Sequence, residues 1–138
     1  MRLTIIGNNG PYPASGGACS GYLLESDSLN TAILIECGTG VLARLQEYTS
    51  LERLNAVVLS HLHYDHMSDM LPLHYALQFH PRKRPLDVYA PAQPAAVRAL
   101  LSGNSTDVWP MREVTIGEMK LSFCPVRHPV ETYAVSIE

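Results

Sequence analysis

His61-Leu62-His63-Tyr64-Asp65-His66 brings three imidazoles and one carboxylate into a single short stretch of the chain. Neutral imidazole nitrogens and carboxylate oxygens are ligands that borderline cations such as Zn²⁺ accept. The hexapeptide follows the apolar run Ala56-Val57-Val58-Leu59-Ser60 and precedes a helix-like segment. Because α/β proteins place their sites on loops at the carboxyl ends of buried strands, this stretch predicts a metal site at such an end.

The spacing within the hexapeptide divides its side chains into two groups. Residues two apart on an extended strand end point the same way, so we expect His61 and His63 to bind one ion together. Asp65 and His66 are adjacent in a turn, point elsewhere, and can reach a second ion nearby. A set of unrelated surface histidines is the alternative, and the local density of His and Asp argues against it.

The hexapeptide resembles the HxHxDH signature of the metallo-β-lactamase fold, and four other segments agree with that resemblance. Residues 1–7 resemble the first strand, and residues 16–24 resemble the small-residue turn and second strand of the ribonuclease Z-like branch. Residues 35–40 resemble a strand-end motif that usually reads Asp-Cys-Gly, and His128-Pro129 resembles the next metal-binding histidine. The resemblance covers the whole chain and is more specific for the fold than for the substrate.

The resemblance implies an α/β fold, the N-terminal half of an αβ/βα metallo-β-lactamase-type sandwich. That family is built from two similar halves, and a bridging Asp and one further His come from the second half. Neither has a counterpart in the 138 residues of this chain. We therefore expect residues 1–138 to form a metallo-β-lactamase-like domain that is incomplete at its C-terminus and pairs with a complementary half-domain or a second copy.

The resemblance also implies a set of metal ligands. His61, His63 and His128 would hold one Zn²⁺, while Asp65 and His66 would hold a second. Mn²⁺ or Fe would accept the same side chains. Two cations lower the pKa of a shared water, which yields a metal-bound hydroxide near neutral pH. Asp65 is the candidate catalytic residue, since it could also accept a hydrogen bond from that hydroxide and orient it.

The function favoured by the resemblance is hydrolysis of a phosphodiester by a binuclear, ribonuclease Z-like enzyme, inactive as the isolated chain. The substrate would be a small-molecule or nucleotide phosphodiester; RNA remains open, but a net charge of −3 does not indicate it. Hydrolysis of a lactone, thioester or amide is the alternative, as is a half-domain that only pairs with a partner. Tyr133 lacks the preceding Gly of ribonuclease Z, which disfavours transfer-RNA processing specifically.

Three polar or aromatic positions carry further expectations. Glu36 stands where the family usually has Asp. Its extra methylene leaves open how well it orients residues 61–66, the metal loop. Tyr64 replaces a residue that is often small, so its ring is expected to border the metal pocket. Asp69 is predicted to cap the helix that it begins, with the orientation of a ligand histidine as the alternative.

Composition predicts a soluble, cytoplasmic protein. The sequence has no apolar stretch of the roughly 18 residues that suggest a membrane span, and its N-terminus lacks the features of a signal peptide. Its three cysteines are an odd number without a CxxC pair, which fits reduced thiols.

Hydrophobic periodicity predicts alternating strands and helices. The apolar stripe Met70, Leu73 and Leu77 is expected to face the sheet. The opposite face of the sheet, assigned to Val57, Leu59, Ile33 and Ile35, is expected to need a second sheet as cover. Strands are predicted at 3–6, 20–25, 32–36, 56–60, 87–90, 113–116, 120–126 and 132–137, and helices at 40–48, 69–79 and 94–101.

Overall fold

The protein has one six-stranded sheet, one three-stranded sheet and four short α-helices in a computed structural model that describes residues 1–80 and 82–138. A 3₁₀ turn covers Leu51–Arg53. The strands are β1 (Arg2–Gly7), β2 (Gly21–Glu25), β3 (Ala32–Ile35), β4 (Ala56–Val58), β5 (Leu86–Tyr89), β6 (Thr106–Trp109), β7 (Val114–Ile116), β8 (Met119–Val126) and β9 (Thr132–Ile137). The helices are α1 (Val41–Leu45), α2 (Tyr64–Met67), α3 (Met70–Leu77) and α4 (Ala95–Ala99).

The large sheet has the strand order β1-β2-β3-β4-β5-β6, and the small sheet has the order β7-β8-β9. β1, β2 and β3 pair antiparallel, whereas β3 to β6 pair parallel. Ile35 lies opposite Val58, so the carboxyl ends of β3 and β4 are side by side. This mixed architecture confirms the predicted α/β fold class.

One face of the large sheet packs against the helices. Met70, Leu73 and Leu77 of α3 are buried in this core, which confirms the predicted apolar stripe. Val57 and Leu59 lie in the same core, and both are fully buried. Their assignment to the opposite face of the sheet is therefore wrong.

The other face of the large sheet packs against the small sheet. Ile33 is fully buried there, together with Ile116 and Leu121 of the small sheet. Ile33 pairs with Ala56 rather than with Val57, and this parallel register separates the faces that the sequence analysis merged. The chain itself thus supplies strands that cover this face.

Cover by the small sheet is incomplete at the edge strand β1. Leu3 and Ile5 lie opposite Leu24 and Tyr22 of β2, on the side of the large sheet that faces the small one. Each is 58% exposed, although both are large and apolar. The apolar surface that was expected to need a partner therefore persists at this edge.

Most predicted elements are present, with shorter helices than expected. The structure adds one strand, β6, and one short helix, α2, that were not predicted. β6 was not predicted because Gly103-Asn104-Ser105 precedes it and Asp107 interrupts it, a pattern typical of loops. Parallel pairing with β5 holds this segment as a strand, although its local sequence does not predict one. Within the described part of the chain, no helix has both the length and the apolar character needed to cross a membrane.

Asp69 caps a different helix from the one predicted. Its carboxylate makes no capping hydrogen bond to α3; instead, Oδ2 accepts the backbone N–H of Leu42 in the first turn of α1 at 2.8 Å. The backbone N–H of Asp69 donates to the carbonyl of Cys37 at 3.0 Å, which places the side chain beneath α1. The carboxylate therefore joins the start of α1 to the start of α3.

Replacing Asp69 tests this connection. We expect Asp69→Ala to lower the free energy of unfolding by about 1 kcal/mol, because the N–H groups at the start of α1 lose their acceptor. Asp69→Asn keeps an acceptor oxygen at the same distance and should retain most of the stability. Urea unfolding of both variants measures the difference, and equal losses in the two would contradict the capping role.

Candidate metal centre

Two adjacent strand ends position the first residues of the site. Glu36 follows β3 directly, and His61 lies three residues beyond the end of β4. The backbone N–H of Glu36 donates to the carbonyl of Val58 at 2.9 Å, and the backbone N–H of Ser60 donates to Oε1 of Glu36 at 3.0 Å. Glu36 thereby joins the end of β3 to the start of the metal loop.

His61, His63 and His128 form a cluster at this edge. His61 is buried, His63 is half-buried and His128 is exposed, and their ligand nitrogens lie within 4.8 Å of one another. The ring centroids of His61 and His128 are 4.8 Å apart, and Nε2 of His128 lies 3.3 Å from Nδ1 of His63. His128 comes from the loop after β8, so the cluster joins residues from both sheets.

The three imidazoles fit a divalent cation. Two ligands of a tetrahedral zinc ion, each about 2.0 Å from the metal, lie about 3.3 Å from each other. The distance of 3.3 Å between the nitrogens of His128 and His63 agrees with this value. His128 is the member of the cluster on the exposed side.

His66 lies between two carboxylates. Its Nε2 is 3.5 Å from Oδ2 of Asp65, and its Nδ1 is 3.4 Å from Oε2 of Glu36. If Nδ1 carries the proton that faces Glu36, Nε2 presents a lone pair on the side of Asp65. Asp65 and His66 therefore lie next to each other beside the three-histidine cluster. Among the described residues, the second group of metal-binding donors consists of Glu36, His61 and His66, and the carboxylate of Asp65 lies outside it.

Glu36 has a larger role in the site than its sequence position alone indicated. It is only 4% exposed, and its φ of 60° is uncommon for a residue other than glycine. Both carboxylate oxygens face the metal loop, Oε1 toward the N–H of Ser60 and Oε2 toward His66. The longer side chain at the usual Asp position therefore does reach the loop. Its place at the end of a parallel strand was the signal for this contact.

Burial and neighbouring charges shift the pKa values of two histidines in opposite directions. Burial, with the charges of protonated His66, His63 and His128, lowers the pKa of His61 to about 4, and Asp65 only partly opposes this. Burial also lowers the pKa of His66, but the carboxylate of Glu36, 3.4 Å from its Nδ1, and the charge of Asp65 raise it overall. His61 is thus held as the neutral imidazole that binds metals.

The loop after β3 packs directly onto the metal loop. The backbone N–H of Cys37 donates to the carbonyl of His66 at 2.7 Å. A Cβ atom on Gly38 would lie 1.9 Å from the carbonyl oxygen of Asp65, so only glycine fits without a backbone shift. This contact sets the position of the Asp65–His66 pair relative to β3.

Tyr64, His74 and His80 lie outside the ligand groups. Tyr64 is 69% exposed and lines a cleft next to His63. His74 is half-buried, with Nε2 2.7 Å from the carbonyl oxygen of Leu101, and His80 pairs with Glu52. The structure thus brings His61, His63 and His128 together and places His66 beside Glu36 and His61, whereas His74 and His80 lie in other contacts.

Comparison with known proteins identifies relatives over the whole chain. Residues 14–133 match the sequence model of the metallo-beta-lactamase superfamily. The chain is 35% identical to the probable metallo-hydrolase YhfI of Bacillus subtilis over 99% of its length, and 29% identical to a ribonuclease Z of Methanopyrus kandleri over 100%. It spans 59% and 50% of these two relatives, respectively.

Solved structures show the same fold. The crystal structure of YhfI from Bacillus subtilis superimposes with a TM-score of 0.88 at 34% identity, over 99% of this chain and 57% of YhfI. The short form of human tRNase Z superimposes with a TM-score of 0.79, over 100% of this chain and 65% of the human protein. At 15% identity, the latter match shows the fold alone.

Gly38→Ala tests the packing of the two loops. We expect the added methyl group to displace the backbone of Asp65 and to weaken Zn²⁺ binding by about 10-fold or more, the range seen when the supports of metal ligands are lost. Isothermal titration of the metal-free protein with Zn²⁺ measures the affinity. Gly103→Ala is the control, since Gly103 also lies in a loop, but a Cβ there would approach only the side chain of His74, outside the metal cluster. Unchanged affinity in Gly38→Ala would contradict the packing argument.

The low pKa of His61 predicts a pH dependence of stability in the metal-free protein. Between about pH 6.5 and its folded-state pKa of about 4, His61 is protonated in the unfolded chain but neutral in the folded one. The unfolded state then binds more protons, so stability falls as the pH falls through this window. Because other groups titrate there too, the difference between wild type and His61→Asn isolates this contribution.

We expect His61→Asn to reduce the loss of stability between pH 6.5 and pH 4, as measured by urea unfolding at several pH values. His74→Asn serves as the control for removing a half-buried histidine away from the cluster. A variant whose stability declines as steeply as that of the wild type would show that His61 is not the group responsible.

Proposed function

The chain belongs to the metallo-β-lactamase superfamily, whose sequence model its residues 14–133 match, and we propose on this basis that the protein is a metal-dependent hydrolase of phosphodiesters. The observation that carries the proposal is the convergence of His61, His63 and His128 from two different sheets. Because the chain spans 59% of YhfI and 50% of the archaeal ribonuclease Z, the activity is proposed for the full-length protein.

In this proposal, His61, His63 and His128 hold one Zn²⁺, and Asp65 and His66 contribute to a second site. Mn²⁺ or Fe would use the same ligands. When bound, the cations would supply Lewis acidity and lower the pKa of a coordinated water. The chemistry of the donors supports such a site, because neutral imidazole nitrogens and a carboxylate are ligands for these metals.

Each side chain of the site has a separate task. Burial keeps His61 neutral. Glu36 faces Nδ1 of His66, and with the proton on that nitrogen the lone pair of Nε2 would be available to a metal ion. Oδ2 of Asp65 lies 3.5 Å from Nε2 of His66 and would accept a hydrogen bond from the attacking water. The exposed His128 leaves the phosphate an open approach from solvent.

The phosphodiester is favoured as the substrate by the ribonuclease Z-like features of the sequence. These include the small-residue segment at residues 16–24 and the 29% identity to a ribonuclease Z over the entire chain. A small-molecule or nucleotide diester suits the net charge of −3 better than a long RNA does. Lactones, thioesters and amides are the alternative substrates, and their hydrolysis is to be compared with that of a phosphodiester.

Asp65→Ala is the experiment that tests the proposal. In the full-length protein loaded with Zn²⁺ or Mn²⁺, we expect hydrolysis of bis(p-nitrophenyl) phosphate to fall on the order of 100-fold or more. The reason is that the variant loses both a metal ligand and the group that orients water. Asp107→Ala, which removes an exposed carboxylate from β6, is the matched control and should retain full activity.

Metal content is measured on the same samples by mass spectrometry. Rapid hydrolysis of a lactone or thioester by the wild type, without hydrolysis of the phosphodiester, would contradict the proposed substrate. The assignment as a metal-dependent hydrolase would still stand. Full activity in Asp65→Ala would contradict the assigned role of Asp65. A protein that binds no divalent metal would overturn the proposed function altogether.

A further inference from the structure

A small cleft lies directly beside the histidine cluster. Its volume is about 250 Å³, and one of its walls is formed by His63, the half-buried member of the cluster. Because the cleft shares this side chain with the cluster, a group inside it is next to any phosphate held there. The described lining residues are Leu62, His63, Tyr64, Pro94, Val97 and Val130.

The cleft is apolar, in contrast to the cluster that it adjoins. Apart from His63, its lining consists of aliphatic side chains, a proline and the ring of Tyr64. A phosphate and its metal ions need charged and polar partners, which lie on the other side of His63. Apolar surface that is open to water gains free energy when an apolar group covers it. The cleft is therefore suited to a substituent of the substrate rather than to the phosphate.

Hydrogen bonds hold the walls of the cleft in place. Glu131 lies next to Val130; its Oε2 accepts the backbone N–H of Gln93 at 2.8 Å, and its Oε1 accepts the hydroxyl of Tyr133 at 2.8 Å. The backbone N–H of Tyr133 donates to the carbonyl of Ser60 at 3.0 Å, and Ser60 immediately precedes the metal loop. These bonds connect the segment before α4, the loop of His128 and the end of β4. The cleft is thus largely formed before a ligand arrives.

The size of the cleft limits its occupant. An apolar cavity of roughly 150 Å³ is sufficient to hold a benzene ring. A volume of about 250 Å³ is therefore large enough for a single ring with its substituents. The ring of Tyr64 is 69% exposed at the edge of the cleft, where it can stack against a planar group.

We propose that this cleft binds one aromatic ring carried by a phosphodiester whose phosphate lies at His61, His63 and His128. This inference rests on the proposed function and adds to it the class of substrate, an aryl or nucleobase-containing diester rather than a short alkyl diester. In this arrangement the histidines would hold the metal ion that binds the phosphate. Specificity is then determined by the apolar lining of the cleft, which consists of Leu62, Tyr64, Pro94, Val97 and Val130. Val97, on α4, is the position at which the cleft can be altered without changing the metal loop.

The test compares the binding of two non-hydrolysable probes to the metal-loaded, full-length protein. Phenylphosphonate and methylphosphonate present the same anion, and only the former carries a ring. We expect isothermal titration calorimetry to show phenylphosphonate binding about 10-fold more tightly. Val97→Phe, which fills the cleft, should bring the ratio of the two affinities close to one. Val97→Thr, which keeps the volume but adds a hydroxyl group, should lower it in part.

Val114→Thr is the matched control, since it makes the same substitution at a half-buried valine of the small sheet, outside the cleft. Its affinity ratio should equal that of the wild type. Equal affinities for the two phosphonates in the wild type, or an unchanged ratio in Val97→Phe, would overturn the aromatic site while leaving the proposed hydrolase intact. Failure of both phosphonates to bind would contradict the proposed function, and with it the inference that depends on it.

Discussion

The hydrogen bond from the backbone N–H of Cys37 to the carbonyl of His66 holds together the two loops that form the candidate site. At this point the chain after β3 passes so close to the metal loop that Gly38 has no room for a Cβ. The same approach lets Glu36 reach both Ser60 and His66. An arrangement of several donors within a few ångströms thus depends on backbone packing at two parallel strand ends.

The position of Glu36 also shows how backbone strain and polar contacts are combined. A φ of 60° costs a residue other than glycine on the order of 1–2 kcal/mol. A glycine would relieve that cost but would remove the carboxylate that faces His66. The hydrogen bonds from Ser60 to Glu36 and from Glu36 to Val58 hold the residue in this conformation. Strain at this position therefore accompanies the contacts that orient the site.

Much of the site could be predicted because its key residues are close in sequence or follow recognisable strands. The spacing of His61 and His63 indicated a shared direction, and the resemblance of His128-Pro129 to the family's next metal-binding histidine implied that His128 would join them. The capping partner of Asp69 could not be predicted in this way, because Leu42 lies far from it in sequence. Only the tertiary packing of α1 against the metal loop brings the two together.

The fold shows the same limit. Alternation within a strand identified apolar faces, but the parallel register between β3 and β4 decides which residues share a face. Ile33 and Val57 are therefore buried in different cores, although the sequence analysis assigned both to the same face of the sheet. β6 depends on its pairing with β5, since the residues that precede it are typical of a loop. Long-range pairing is the information that a local pattern lacks.

The distribution of the histidines between two sheets has a consequence for folding. His61 and His63 follow a strand of the large sheet, whereas His128 follows a strand of the small one. An ion bound by all three would fasten the layers to each other, so that its binding free energy adds to the stability of the fold. Cells degrade unfolded chains continuously. The amount of this protein in a cell would then follow the supply of metal as well as the rate of synthesis.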